Sequence, residues 1–273
     1  MAAAAPAGEA VGAQRLAGRT ALVTGALGGI GLPIAERFAA EGCAVILADL
    51  ADHDDPAATA ALGRAGKNAR YLRLDITSQA DWQEAATKIG EGGGTLHILV
   101  NNAGIATTGA IAGVPLEDWR RTMTVNCEGA FLGVQTLIAL LAAGARASGS
   151  WSSVINLSSI LGIVGYADSA AYSASKGAIR AFSKAAAVEF ARSGDRIPVN
   201  ALHPGFVRTP MTVKGAAEMA GGDALLDSLA AATPMGRLAE VHEIAAAAAF
   251  LASDDSSFMT GAELVIDGGW TAQ

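Results

Sequence analysis

The sequence predicts an α/β fold, a three-layer αβα sandwich around a seven-stranded parallel sheet. Three observations lead there. Short aliphatic or β-branched runs alternate with longer, Ala-rich amphipathic stretches along the 273 residues, the pattern of successive βαβ units. Most of the short runs are apolar throughout, as strands covered on both faces should be. A glycine-rich turn joins the first run to the first helical stretch, where parallel α/β sheets open their binding crevices.

Taken in order, strands are expected at 20–24, 44–48, 70–74, 98–101, 153–157, 197–202 and 263–266, and helices at 30–41, 78–89, 116–143, 169–192 and 241–252. No linker, charge run or fixed-period repeat divides the chain. Residues 17–273 are therefore read as one domain behind a flexible N-terminal tail over 1–16. The stretch 210–237 is rich in Met, Ala and Gly without a strong period. It falls where a substrate lid belongs if the site lies at the carboxyl edge of the sheet, a short surface helix being the other reading. The apolar stretch 129–145 approaches membrane-spanning length, yet it holds Gln135 and three glycines and is read as a buried helix. No membrane partner is expected.

Composition narrows the function classes. Hydrophobic residues make up 51% of the chain and charged ones 16%, which suits a packed core and not a disordered chain. A net charge of -7 with no basic run argues against nucleic acid, whose phosphates need clustered Lys and Arg. The two cysteines, Cys43 and Cys127, have neither metal-ligand nor CxxC spacing, so no metal site is expected. Unpaired cysteines fit a reducing cytoplasm, and the opening stretch lacks the basic region of a secretory signal.

The first expected strand ends in Thr24-Gly25-Ala26-Leu27-Gly28-Gly29-Ile30-Gly31. Gly25, Gly29 and Gly31 let the backbone turn sharply and lie against a pyrophosphate, which then meets the free N–H groups of a helix N-terminus. Asp49, at the end of the second strand, is placed to accept hydrogen bonds from the adenosine ribose and to repel a 2′-phosphate. No Arg or Lys lies in the glycine turn or just after Asp49, so NAD is favoured over NADP. The rival reading has Asp49 capping a turn with Asp52, Asp54 and Asp55. Asp75 is placed to contact the adenine edge or to act at the helix start before Ser78. Asn101-Asn102-Ala103-Gly104 reads as a loop whose amides tie strands together while its backbone passes close to a cofactor. Asn126, inside a helical stretch, marks a local kink that exposes a carbonyl or holds a water.

The fifth strand runs into Ser158-Ser159, and Tyr172 and Lys176 follow. Four positions apart on a helix, Tyr172 and Lys176 share one face. An ammonium near a phenol stabilises the phenolate and brings its pKa toward the working range of a general acid/base. The Ser159 hydroxyl is suited to hold a substrate oxygen. His203 titrates near neutral pH, yet it is read as a residue packed at a strand end. Trp270 is read as packing on its own sheet, the other reading being that it closes a neighbouring subunit's pocket.

These residues resemble the short-chain dehydrogenase/reductase family over about 17–270, in the segments TGALGGIG, NNAG, YSASK and Pro204-Gly205 followed by Thr209. The resemblance implies a Rossmann-type fold and a catalytic set of Asn126, Ser159, Tyr172 and Lys176. In that set Tyr172 exchanges the proton, Ser159 orients the substrate oxygen, Lys176 binds the nicotinamide ribose and lowers the tyrosine pKa, and Asn126 holds a water linking Lys176 to solvent. It also places Gly25, Ile30, Asp49, Asp75, Ile76, Asn102, Ala103 and Gly104 along the adenosine and pyrophosphate, and Pro204, Gly205, Val207 and Thr209 around the nicotinamide. Within the family the chain looks like bacterial hydroxysteroid and secondary-alcohol dehydrogenases.

The expected activity is NAD-dependent interconversion of a secondary alcohol and a ketone. The apolar 210–235 region, with Ile160, Leu161, Ile163 and Val164, predicts a hydrophobic pocket for a cyclic, aromatic or steroid-like substrate. A 3-oxoacyl thioester reductase and a non-catalytic nucleotide sensor are the alternatives. The resemblance also implies a homo-oligomer, a dimer or tetramer, paired through the helices that carry Asn126 and Tyr172.

Overall fold

The computed structural model describes residues 14–218 and 222–273. Of the tail expected over 1–16, residues 1–13 lie outside the described residues. Arg15 pairs with Glu41 and Asp255, and Leu16 is fully buried, so packing begins before residue 17.

Seven strands form one sheet: β1 (Thr20–Thr24), β2 (Ala44–Asp49), β3 (Ala69–Arg73), β4 (Ile98–Asn101), β5 (Ser153–Leu157), β6 (Val199–Pro204) and β7 (Glu263–Ile266). Their order is β3-β2-β1-β4-β5-β6-β7, and every pairing is parallel. The order reverses between β1 and β4, which opens a crevice at the carboxyl ends of those strands. The helices are α1 (Gly31–Ala40), α2 (Pro56–Ala65), α3 (Gln79–Gly90), α4 (Leu116–Met123), α5 (Gly129–Ser148), α6 (Ala170–Ser193), α7 (Pro210–Glu218), α8 (Asp223–Ala232) and α9 (Val241–Ala252).

Alternate strand residues feed two separate cores. Ala21, Val23, Ile98, Val100 and Ile155 pack with Phe38 of α1, Ala61 of α2 and Ile244 of α9. Leu22, Leu99 and Val154 face the other way, toward Trp82 of α3, Leu137 of α5 and Phe190 of α6. Each large side chain so buried contributes about 1.5–3 kcal/mol. The long apolar stretch belongs to this second core, with Val134, Leu137 and Leu141 against the sheet. Its Gly133 permits a close approach to α3, since a Cβ there would lie 2.8 Å from the Trp82 ring.

Three differences from the sequence reading have local causes. Helix α2 was not expected; Asp55 caps it by accepting the Ala57 N–H at 2.7 Å, and Pro56 opens its first turn. The single helix expected over 116–143 is α4 and α5 joined by a π-helical turn, Thr124–Glu128, and it continues to Ser148. Strand β6 starts after Pro198, which has no N–H to donate, and runs on through His203 and Pro204, which pair with Val265 and Ile266 of β7. The unperiodic lid region holds α7 and α8.

Between the layers, buried amides lace the strands to α6. Asn101 Nδ2 donates to Asn156 Oδ1 at 2.8 Å, and Asn156 Nδ2 donates to Ser183 Oγ at 2.9 Å, all three residues being buried. Replacing Asn156 by Leu strands the Asn101 donor, and the expected loss of unfolding free energy is about 2–4 kcal/mol. Urea denaturation measures it, and a loss under about 1 kcal/mol would make these bonds incidental.

Candidate active site

Thr24 is the pivot of the crevice. Its hydroxyl donates to the Val100 carbonyl at 3.2 Å and accepts the Asn102 and Ala103 N–H groups at 3.0 and 3.1 Å. Asn102 Nδ2 returns to the carbonyls of Thr24 and Gly25. The turn after β1 is thereby tied to the loop after β4, as the paired amides suggested. Gly25 and Gly29 have φ of 64° and 55°, a region where a side chain is strained. A Cβ at Gly31 would meet the Gly25 carbonyl oxygen at 2.2 Å. Nothing lies within 4 Å of the Cβ positions of Gly28 and Gly29, so a bare backbone cradle faces open space at the start of α1.

This cradle floors a cleft of about 300 Å³. Of the expected site residues, Gly25, Gly29, Ile30, Asn102, Ala103, Gly104, Ser159, Tyr172, Lys176, Pro204, Gly205, Val207 and Thr209 line it. A second cavity of about 190 Å³ is walled by Ile160, Leu161, Tyr166, Phe206, Met211, Leu225 and Leu229. The two cavities share Ser159, Tyr172, Gly205, Met211 and Thr212. Ile163 and Val164 line neither cavity. Trp270 packs edge-on against Phe206 at 4.8 Å, backing the apolar wall.

Tyr172 and Lys176 lie one turn apart near the start of α6. Lys176 is buried, its Nζ donates to the Leu157 carbonyl at 2.7 Å, and it stands 5.6 Å from the centre of the Tyr172 ring. Burial brings its pKa down from 10.5 to about 8. Burial raises the Tyr172 phenol above its ordinary value of 10, while a hydrogen bond with the Ser159 hydroxyl opposes the rise. The acidifying influence expected of Lys176 is therefore not realised in this arrangement. By the pH at which the phenol ionises, the amine has already lost its proton.

Asn126 sits buried in the π-helical turn, outside the cleft lining. Its Oδ1 accepts the Ile105 N–H at 2.8 Å, and its Nδ2 donates to the Ile105 carbonyl and to Ser175 Oγ, both at 2.9 Å. Both amide protons are used, so the side chain braces the loop after Gly104 against α6.

A family model described as enoyl-(acyl carrier protein) reductase matches residues 25–271. The chain belongs to the short-chain dehydrogenase/reductase family. It is an oxidoreductase of a family that uses nicotinamide cofactors. Among similar proteins, the NADP-dependent (R)-specific alcohol dehydrogenase of Lentilactobacillus kefiri is 39% identical over 263 residues, covering 95% of this chain and 99% of that one. The 3-alpha-(or 20-beta)-hydroxysteroid dehydrogenase of Mycobacterium bovis is 39% identical over 94% of this chain and 91% of its own. The cyclopentanol dehydrogenase of a Comamonas species is 38% identical over 94% and 99%.

Five of the residues expected at the site stand outside the lining of the cleft. Gly31 and Asn126 act from behind it, as described. Asp49 closes β2, where its carboxylate accepts the Leu27 N–H at 3.0 Å and the Leu50 N–H at 2.8 Å. It braces the glycine turn. Asp75 accepts the N–H and hydroxyl of Thr77, while Ser78 caps α3. Ile76 packs against Gly129. Sequence reading missed Gly28, Leu157, Ser158, Pro210, Met211 and Thr212 in the lining. It also missed Arg73, which parallel register sets beside Asp49 and which pairs with Asp52 at 3.2 Å and Asp81 at 3.5 Å.

The buried amine has a stability consequence. Between pH 8 and 10.5 the unfolded chain holds a proton on Lys176 that the folded chain has released, so this residue makes stability rise with pH across that window. Below pH 8 the folded state carries the full penalty of a buried cation. Lys176→Met is expected to stabilise the protein at pH 7 by about 1–2 kcal/mol, with the gain shrinking toward pH 10.5. Thermal or urea unfolding at pH 7 and pH 10 checks the sign, and a variant less stable at both would contradict it.

Proposed function

We propose that this oxidoreductase interconverts a secondary alcohol and a ketone with NAD, on a compact apolar substrate that is cyclic or aromatic. The observation that carries the reading is the meeting of the two cavities at Ser159 and Tyr172. A carbonyl carbon placed there has a cofactor cleft on one side and an apolar cavity on the other. The family's cofactor fits the cleft, because the glycine cradle offers unobstructed backbone N–H groups and Lys176 lies where a ribose would pass. A bound nicotinamide would supply the hydride donor or acceptor and, when oxidised, a positive charge near the phenol.

The protein's own groups then handle the oxygen. In alcohol oxidation the Tyr172 phenolate takes the proton leaving the substrate oxygen and becomes the hydroxyl; in reduction the hydroxyl gives the proton back. Ser159 Oγ donates a hydrogen bond to the same oxygen and fixes which face meets the cleft. Lys176 holds the ribose and, when protonated, stabilises phenolate. Asn126 keeps the loop beyond Gly104 seated against α6.

Substrate size and polarity follow from the second cavity. About 190 Å³ is below the 300–1,000 Å³ of drug-sized sites, which favours one or two rings over a fused four-ring skeleton. The cyclopentanol dehydrogenase among the relatives supports a cyclic alcohol. Among the described residues that line this cavity none is Lys or Arg, which disfavours a carrier-bound thioester or coenzyme A. The retained Ser159, Tyr172 and Lys176 disfavour a sensor without turnover.

Turnover of a panel of cyclic and aryl secondary alcohols tests the reading. Tyr172→Phe is expected to lower kcat about 10²–10⁴-fold with the fold intact; undiminished oxidation would remove the proposed role of the phenol.

Asp49 supports NAD, since its carboxylate would repel a 2′-phosphate. Arg73 favours the second reading, NADP, if it left Asp52 and Asp81 for a phosphate. Wild type is expected to prefer NAD, and Asp49→Asn to shift the kcat/KM ratio toward NADP by about tenfold or more. A wild-type preference for NADP would overturn the assignment.

A further inference from the structure

Ser159 is held at its backbone by a side chain from the neighbouring strand. The ladder between β5 and β6 ends with the Ser158 N–H donating to the Leu202 carbonyl at 2.8 Å. One residue on, no backbone donor of β6 reaches the Ser159 carbonyl, and His203 Nδ1 stands 2.9 Å from it instead. The Gly162 N–H fills the other lone pair of that carbonyl at 3.0 Å, and the Leu161 N–H donates to Ser159 Oγ at 3.1 Å. The hydroxyl that shares a hydrogen bond with Tyr172 is thus aimed by bonds to both ends of its residue.

The imidazole pays for this with an unpaired atom. A carbonyl only accepts, so the neutral ring must carry its proton on Nδ1, leaving Nε2 as a bare acceptor. Nε2 is fully buried, has no hydrogen-bond partner, and lies 4.0 Å from Glu263 Oε2. Glu263, on β7, is held in turn by Arg180 at 2.8 Å and Lys184 at 2.5 Å, both from α6. Burial keeps the ring neutral near pH 7; Glu263 pulls toward protonation, and Arg180 and Lys176 push against it. An apolar side chain would pack in this place without stranding an acceptor.

We propose that His203 is a positioning residue for Ser159, its Nδ1–H fixing the Ser159 carbonyl and, through it, the direction of the Ser159 hydroxyl. The inference rests on the proposed role of Ser159 in holding the substrate oxygen. It makes the β6 end, and Glu263 behind it, part of the support of the reacting centre. His203 does not itself touch the substrate.

Three substitutions and one double variant test it. His203→Leu keeps the volume and removes the donor; kcat is expected to fall about 10–100-fold while KM for the cofactor holds within about twofold. His203→Asn sets an amide N–H where Nδ1 stood and should recover about tenfold of that loss, whereas His203→Gln, whose amide reaches the Nε2 position, should not. In a Ser159→Ala background His203→Leu should cost less than about twofold further, because the group it aims is gone. The ¹⁵N shifts of His203 in the free wild-type protein should report the Nδ1–H tautomer. Equal losses for Asn, Gln and Leu, full activity of the Leu variant, an additive double variant, or an Nε2–H tautomer would each overturn the proposal. Ser159→Ala with undiminished turnover would instead remove the role of Ser159, and the His203 inference with it.

Discussion

The reversal of strand order between β1 and β4 is the constraint on which the site depends. Every strand is parallel, so each connection returns across a face of the sheet. The chain leaving β1 goes to one face through α1, and the chain leaving β4 goes to the other through α4 and α5. Their separation opens the crevice, and Thr24 and Asn102 bridge it with bonds to each other's backbone. Without that bridge the glycine cradle and the Ala103-Gly104 loop would not share one wall of the cleft.

Burial sets the chemistry inside the crevice. Both Tyr172 and Lys176 shift toward their neutral forms, so the free protein holds its acid and its cation in an order that does not yet favour phenolate. Charge from a bound cofactor, or ribose hydroxyls on Lys176, is what would reverse that order.

Two residues behind the lining have their own hydrogen-bond economies. Asn126 spends its whole amide on Ile105 and Ser175, and a π turn within a long helix lets it do so. His203 spends one nitrogen on Ser159 and leaves the other empty. The turn between α4 and α5 on one side and strand β6 on the other therefore hold the loop beyond Gly104 and the backbone of Ser159.

Much of this was legible in the chain, for a physical reason. Apolar runs covered on both faces, the glycine turn, and a tyrosine and lysine one helical turn apart are local patterns, and local backbone geometry reads them directly. The seven strands and the shared face of Tyr172 and Lys176 followed from them, as did the glycine turn and Ser159 in the cleft lining, whereas Ile30, Pro204, Gly205, Val207 and Thr209 came from the family resemblance. Helix α2 was also written locally, in Asp55 and Pro56, but the acidic cluster around it suggested a turn.

What the tertiary structure alone decided depends on neighbours distant in sequence. Parallel register set Arg73 beside Asp49, which no count of residues after Asp49 would find. Two cavities met at Ser159 and Tyr172 because α7 and α8 fold over the sheet edge, from a stretch without a strong period. The pKa order of Tyr172 and Lys176 reflects desolvation, which spacing cannot report. His203 looked like a packed strand-end residue; only the parting of β5 and β6 beyond Leu202 brought its Nδ1 to the Ser159 carbonyl.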